Sequence, residues 1–284
     1  METVSRERPA LQTAIALLSA LSLGAGGLAL GFALLMLSIL GIAVATGIWL
    51  PDRSFAFLVS SLVFVQGIGC GGVALSYYKL RPVIAPRVRS ALDIAGDGEP
   101  FGIPVSVPSL RQVGMVLGGY AAAIVWVMLS GIIMTVIQNV RGQEIQTGNN
   151  AAAELGRSNP ELLLLLIPAS ILLIGPGEEL LFRGVVQARI RERFSRVPGI
   201  AIASLFFAAL HILALVGGSL VGNLVVVSIL FVTATVFGVA YEYAENIVVP
   251  SLIHGLYNAT LFTLLYISLT LDNVSQAALL GIGG

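Results

Sequence analysis

Five polar side chains interrupt apolar stretches in the second half of the chain, and together they carry the groups that can hydrolyse an amide bond. Glu178 and Glu179 are adjacent, His211 lies in IASLFFAALHILAL, and His254 and Asn258 share PSLIHGLYNATLF. The histidines are the only two in the chain. Carboxylates and imidazoles act as general bases and acids, and an amide can donate to an oxyanion. The joint pattern therefore favours peptide hydrolysis.

Helical spacing connects several of these side chains. The pairs that lie four residues apart are Glu179 and Arg183, Phe207 and His211, and His254 and Asn258. Residues at this spacing share a helix face, so the first pair can form an ion pair and the last can present two polar groups together. Taken singly, each feature also has a structural interpretation, as an ion pair at a membrane edge or a polar contact between helices.

The elements that must position these groups are membrane helices. The 284 residues are 57% hydrophobic and 11% charged, with a mean hydropathy of +0.95, whereas soluble domains are about 25% charged. A bilayer span needs about 20 apolar residues. Beyond a first uncharged run, such stretches occur at about 55–78, 112–138, 161–182, 198–217, 220–240 and 250–271. We therefore predict an all-α, polytopic transmembrane helix bundle.

The first uncharged run, between Arg8 and Asp52, leaves the number of spans open. Gly24 to Gly27 could form a turn or a packed face of small residues. About seven spans fit the distribution of basic residues better than eight, because a single first helix also places Arg6 and Arg8 on the side of the other basic segments. A second break is possible at Pro176, since proline cannot donate to a helix, and Glu178 could then begin a new helical segment.

Basic residues predict the orientation. Five Arg or Lys lie in 79–111 and five in 183–196, against two in 139–160. The basic side of a membrane protein faces the cytoplasm, so we expect a multi-pass cell-membrane protein whose site is reached from the cytoplasmic side. Fifteen basic and fifteen acidic residues balance, which argues against a nucleic-acid partner. The single cysteine, Cys70, excludes an intrachain disulfide and a cysteine-based metal site.

Three motifs in order resemble the signature of the CPBP (Abi) family. They are Glu178-Glu179-x-x-x-Arg183, Phe207-x-x-x-His211 and His254-x-x-x-Asn258. This family contains CAAX-type and bacteriocin-processing intramembrane proteases, including the type II prenyl-protein endopeptidases. The resemblance covers about 160–270. We accordingly divide the chain into 1–110, N-terminal transmembrane helices with a surface loop, and 111–284, a catalytic bundle whose core is the last four spans.

The resemblance implies a role for each motif residue. Glu178 and His211 would activate a water molecule, and His254 and Asn258 would stabilise the oxyanion of the tetrahedral intermediate. Glu179 and Arg183 would be a supporting pair, with Phe207 beside them. The expected partners are membrane lipids and a membrane-anchored or lipidated protein or peptide substrate, for which the resemblance suggests the prenylated CAAX-type class.

The sequence leaves two questions open, which are whether the site binds a metal ion and whether the protein is an endopeptidase. The family is conventionally described as metalloproteases, and Glu178, His211 and His254 would be the ligands of a Zn²⁺ ion if one is bound; HExxH is absent, and we favour a water activated by glutamate without a metal. The alternatives to an endopeptidase are a non-proteolytic scaffold that sequesters a membrane partner and a proton-coupled transporter. A transporter would show internal symmetry, which the sequence lacks.

Overall fold

The computed structural model describes residues 9–52, 54–94 and 101–279, and their side chains as far as 271. Residues 95–100 of the expected surface loop lie outside this range. The helices are α1 (Pro9–Thr46), α2 (Ser54–Leu92), α3 (Leu110–Arg141), α4 (Ala151–Ser158), α5 (Glu161–Arg191), α6 (Arg196–Ala214), α7 (Leu220–Ala244) and α8 (Val248–Leu279). All but α4 are long and apolar enough to cross a membrane, which makes seven spans in the described residues. The predicted all-α polytopic bundle is confirmed, and the chain is a multi-pass integral membrane protein.

The first uncharged run is one continuous helix. Gly24, Gly27 and Gly31 lie buried on a single face of α1, so the glycine cluster is a packing face and not a turn. A Cβ at Gly27 would stand 2.7 Å from the backbone oxygen of Gly69 on α2. Only residues without a side chain allow two membrane helices to approach this closely, and this contact fixes α2 against α1.

Helix α5 continues through Pro176 instead of breaking there. Two π-helical stretches, Ser170–Ile174 and Leu180–Gln187, flank a short α-helical turn, Gly175–Glu179. Wide turns of this kind change the phase of a helix and often occur at functional sites. Glu178 therefore lies inside one long helix, and the expected start of a new helical segment at this residue was wrong.

The two basic segments lie at the same end of the bundle. Arg81 of α2 forms an ion pair of 2.5 Å with Glu192, directly after α5. Nearby, the backbone of Ile247 donates to Pro104 over 2.9 Å, which ties the loop before α3 to the turn between α7 and α8. We call this end of the bundle the arginine-rich end.

The opposite end carries a small antiparallel ladder. Strand β1 (Asn149–Asn150) pairs with β2 (Leu215–Val216), with Asn149 opposite Val216 and Asn150 opposite Leu215. Helix α3 runs away from the arginine-rich end and α5 returns to it, so the 142–160 connection that holds β1 and α4 must lie at the far end. We call this the hairpin end.

Candidate active site

The Glu178 carboxylate lies at the centre of a buried polar cluster. Its Oε1 accepts a hydrogen bond of 2.9 Å from Nε2 of Gln66. Its Oε2 lies 3.4 Å from Nε2 of His211 and 3.9 Å from Nε2 of His254. Glu178 is 6% exposed, and Oε2 has no hydrogen-bond partner among the described residues. One oxygen is thus held in place while the other is free to bind a small polar molecule.

His211 lies where the α-helical part of α6 passes into a 3-10 turn, His211–Ala214. Its Nδ1 lies 2.7 Å from the carbonyl oxygen of Phe207, and the two rings are 4.1 Å apart. A carbonyl only accepts, so Nδ1 carries the proton and Nε2 of the neutral ring is an acceptor. When the ring is neutral, His211 Nε2 and Glu178 Oε2 are two acceptors that face each other over 3.4 Å.

His254 is held by Glu179, the second member of the adjacent pair. Nδ1 of His254 donates to Glu179 Oε1 over 2.9 Å, and the other oxygen of Glu179 accepts from Nε of Arg183 over 2.9 Å. Both members of this ion pair are completely buried. The ring of Phe237 stacks on His254 at 4.8 Å. The carboxylate, the guanidinium and the aromatic ring together fix the direction of the imidazole.

The ion pair predicted from the spacing of Glu179 and Arg183 is therefore present. The remainder of the Arg183 guanidinium has no acceptor, since neither Nη1 nor Nη2 has a hydrogen-bond partner among the described residues. It lies 5.2 Å from the ring centre of Phe207, within the range of a cation–π contact. Phe207 thus touches both the supporting ion pair and His211.

A cavity of about 550 Å³ brings the four candidate catalytic residues onto one surface. Its lining includes Glu178, His211, His254 and Asn258. Asn258 is half-buried, and no described residue hydrogen-bonds its side chain. Its amide is therefore available to an occupant of the cavity, one helical turn away from His254. Apolar residues of α7 and α8, such as Leu230 and Leu261, form much of the remaining wall.

The cavity leads to the hairpin end. Its lining continues through Asn150 of β1 and Arg157 of α4 to Leu215 of β2, and Asn150 and Arg157 are exposed. On the other side, Arg183 and Gln187 of α5 are completely buried. This differs from the expected entrance at the arginine-rich end. The physical reason is that the basic residues in 183–196 lie at the end of α5 and indicate only where that end of the helix lies. The cavity forms around the middle of α5, so these residues do not predict where it opens.

Gln66 is the polar contact that the motifs did not reveal. It lies in the stretch LVFVQGIGCGG of α2, where a lone glutamine between apolar residues was the available signal. A Cβ at Gly177 would stand 2.7 Å from the backbone oxygen of Gln66. Because Gly177 has no side chain, α2 can approach α5 directly beside Glu178. The N-terminal half of the chain thereby contributes Gln66 to the site.

Glu178, His211 and His254 are the side chains that could bind a metal ion at this site. In the described part of the chain, no group of three or more His, Cys, Asp or Glu side chains is arranged to hold one. The nitrogens of His211 and His254 face the same oxygen of Glu178, and Glu179 is committed to Arg183 and His254. In this arrangement the described residues form no complete ligand set for a zinc ion.

Part of the chain is similar to a known protein family. Residues 160–260 match the Rce1-like family model, described as type II CAAX prenyl endopeptidase Rce1-like. The comparisons with curated proteins and with solved structures give no match. The matched segment contains all three motifs, and the match supports a CAAX-type intramembrane endopeptidase in general terms. The resemblance to the CPBP family of membrane proteases, drawn from those motifs, is thereby confirmed.

Proposed function

We propose that this protein is an intramembrane endopeptidase that hydrolyses a peptide bond of a membrane-anchored, lipidated substrate with a water molecule activated by Glu178 and His211. The observation that carries the proposal is the distance of 3.4 Å between Glu178 Oε2 and His211 Nε2, which are both acceptors when His211 is neutral. A water molecule beside both can donate one hydrogen to each. Bound in this way, it presents its oxygen lone pairs to a carbonyl carbon in the cavity.

The proton balance of the reaction follows from this arrangement. As the water oxygen bonds to the carbonyl carbon, its proton passes to Glu178 and the carbonyl oxygen becomes an oxyanion. The C–N bond then breaks as Glu178 returns the proton to the leaving nitrogen. The products are a carboxylic acid and an amine, and Glu178 is restored. Gln66 holds the second oxygen of Glu178 throughout.

His254 and Asn258 are placed to stabilise the oxyanion. The amide of Asn258 can donate directly. His254 already donates its Nδ1 hydrogen to Glu179, so it needs a second proton to donate from Nε2. The buried cluster contains two carboxylates, Glu178 and Glu179, and one guanidinium, Arg183. In the proposed mechanism a second proton on His254 would supply that donor beside these two carboxylates.

The cavity position constrains how the substrate reaches the site. We infer from the positive-inside rule that the arginine-rich end faces the cytoplasm in the cell membrane. The cavity then opens on the opposite face, at the hairpin end. The peptide would enter beside Asn150 and Arg157, with its lipid anchor remaining in the bilayer next to the bundle.

The test compares the peptides released in membranes that contain the wild type with those that contain Glu178→Gln. Glu161→Gln is the matched control, because Glu161 is exposed at the start of the same helix. New peptide termini should arise with the wild type and the control only. Their absence in all three samples, with folded protein present, would favour the scaffold alternative. A farnesylated CAAX peptide incubated with the purified protein tests the prenylated class of substrate separately.

A further inference from the structure

A second cavity of about 490 Å³ lies at the arginine-rich end, away from the candidate active site. It is formed by α1, the second half of α2 and the end of α5. Apolar side chains make up most of its wall, among them Leu80, Ile84 and Val88, which are also exposed on the outside of the bundle. The cavity is therefore continuous with the surface that faces the bilayer.

Its polar lining is strongly basic. Four arginines line it, with one glutamate; they are Arg81, Arg89, Arg189, Arg193 and Glu192. Glu192 forms ion pairs with both Arg81 and Arg189. Arg89 forms no ion pair with any described residue, so the lining keeps a positive charge beside an apolar groove. An occupant that complements both features has an anionic head and an apolar tail.

The contacts of Arg81 indicate a defined binding site and not only a group of basic residues at the end of a membrane span. Its side chain is 9% exposed, and its guanidinium lies 4.4 Å from the ring centre of Phe101. One nitrogen, Nη2, binds Glu192, while Nη1 is buried and has no hydrogen-bond partner among the described residues. A buried donor without an acceptor is costly, and an anionic oxygen in the cavity would satisfy it.

We propose that this cavity binds an anionic phospholipid, with its phosphate near Arg81 and Arg89 and an acyl chain along Leu23, Leu30 and Val73, which line the cavity farther from the arginine-rich end. Arginine guanidinium groups bind phosphate oxygens through paired hydrogen bonds, and basic pockets between membrane helices recognise anionic headgroups. The site is independent of the proposed protease activity. By joining α1, α2 and the end of α5, the lipid would stabilise the packing of the N-terminal helices against the family-matched segment.

The test measures the melting temperature of the purified protein in a neutral detergent with added lipid. Phosphatidylglycerol should raise it more than phosphatidylcholine, because a ligand that binds only the folded state stabilises it by mass action. Inorganic phosphate at the same concentration should have no such effect. An equal response to both lipids, or a response to phosphate equal to that of phosphatidylglycerol, would overturn the proposal.

Variants locate the binding. Arg89→Gln should weaken phosphatidylglycerol binding by about tenfold, as expected for the loss of a hydrogen bond to a charged group. Arg87→Gln is the matched control, since Arg87 is exposed on the same helix and does not line the cavity. Ala85→Trp should block the cavity without a change of charge. The proposal fails if Arg89→Gln and Ala85→Trp bind as the wild type does, or if Arg87→Gln loses as much affinity as Arg89→Gln.

Discussion

Gln66 and Glu178 are joined by a hydrogen bond of 2.9 Å although 112 residues separate them in sequence. The contact links α2 to the motif helix α5 and fixes one oxygen of the carboxylate that we propose as the base. The other oxygen of Glu178 has no hydrogen-bond partner among the described residues and is available to a molecule in the cavity. The N-terminal helices are therefore part of the site's construction, although no family motif lies in them.

The first prediction concerns Gln66. Gln66→Ala should lower kcat by about 10- to 100-fold, because a hydrogen bond to a charged group contributes about 1.5–3 kcal/mol, and KM should change little. Val63→Ala is the control, since Val63 is in the same π-helical stretch and exposed. Steady-state cleavage of one lipidated peptide measures both constants. Wild-type kcat in Gln66→Ala would show that Glu178 does not need the hydrogen bond from Gln66.

The second prediction separates the two adjacent glutamates. Glu178→Gln should lower activity by about 10²–10⁴-fold, the usual contribution of a general base, and leave the melting temperature nearly unchanged. Glu179→Gln or Arg183→Ala should instead destabilise the fold by about 3–5 kcal/mol, because each leaves a buried partner charge. Thermal unfolding and peptide cleavage measure the two effects. Full activity in Glu178→Gln would move the base to Glu179.

The third prediction concerns Asn258. Its side chain has no hydrogen-bond partner among the described residues, so Asn258→Ala should cost little stability. As an oxyanion donor it should contribute about 10²–10³-fold to kcat with little effect on KM. Asn258→Asp should be at least as harmful, since an ionised carboxylate cannot donate and repels the oxyanion. Thr263→Val, at a residue bonded only to its own helix, is the control. A well-folded Asn258→Ala enzyme with wild-type kcat would leave His254 as the proposed donor.

The fourth prediction concerns orientation. Cysteines introduced by Arg87→Cys and Arg193→Cys should react with an impermeant thiol reagent only from the cytoplasmic side, and Asn150→Cys only from the other side. The native Cys70 is buried, so the wild type should give a low background. Labelling of all three from one side would contradict the structure. Labelling of each from the side opposite to that expected would invert the proposed topology.

The fifth prediction concerns metal dependence. Because the proposed activation of water by Glu178 and His211 needs no metal ion, a chelator should leave peptide cleavage unchanged, and elemental analysis of the active protein should find no stoichiometric zinc. Loss of activity on chelation, restored by Zn²⁺, would contradict the proposed mechanism. In that case Glu178 would be a ligand, and Glu179 would be the remaining candidate for the base.

Sequence periodicity and composition predicted the spans, because an apolar stretch of sufficient length must form a helix in a membrane. Helical spacing likewise predicted the contact of Glu179 with Arg183. Contacts between residues that are far apart in sequence were harder to predict. Gln66 reaches Glu178 only because Gly177 and the α1–α2 contact at Gly27 bring the backbones together, and no local pattern encodes that approach. The end of the bundle at which the cavity opens depends on how α4 and the β1–β2 ladder fold back. The distribution of charged residues in the sequence does not predict this folding.

The opening of the candidate active-site cavity at the hairpin end has a pharmacological consequence. In the proposed orientation, with the arginine-rich end in the cytoplasm, a compound that blocks the site would not need to pass through the bilayer or survive efflux from the cell. A polar transition-state mimic with an anionic group aimed at Arg157 and a tetrahedral centre near Glu178 would be admitted from outside. Whole cells, and not only purified protein, would therefore respond to inhibitors that are too hydrophilic to enter them.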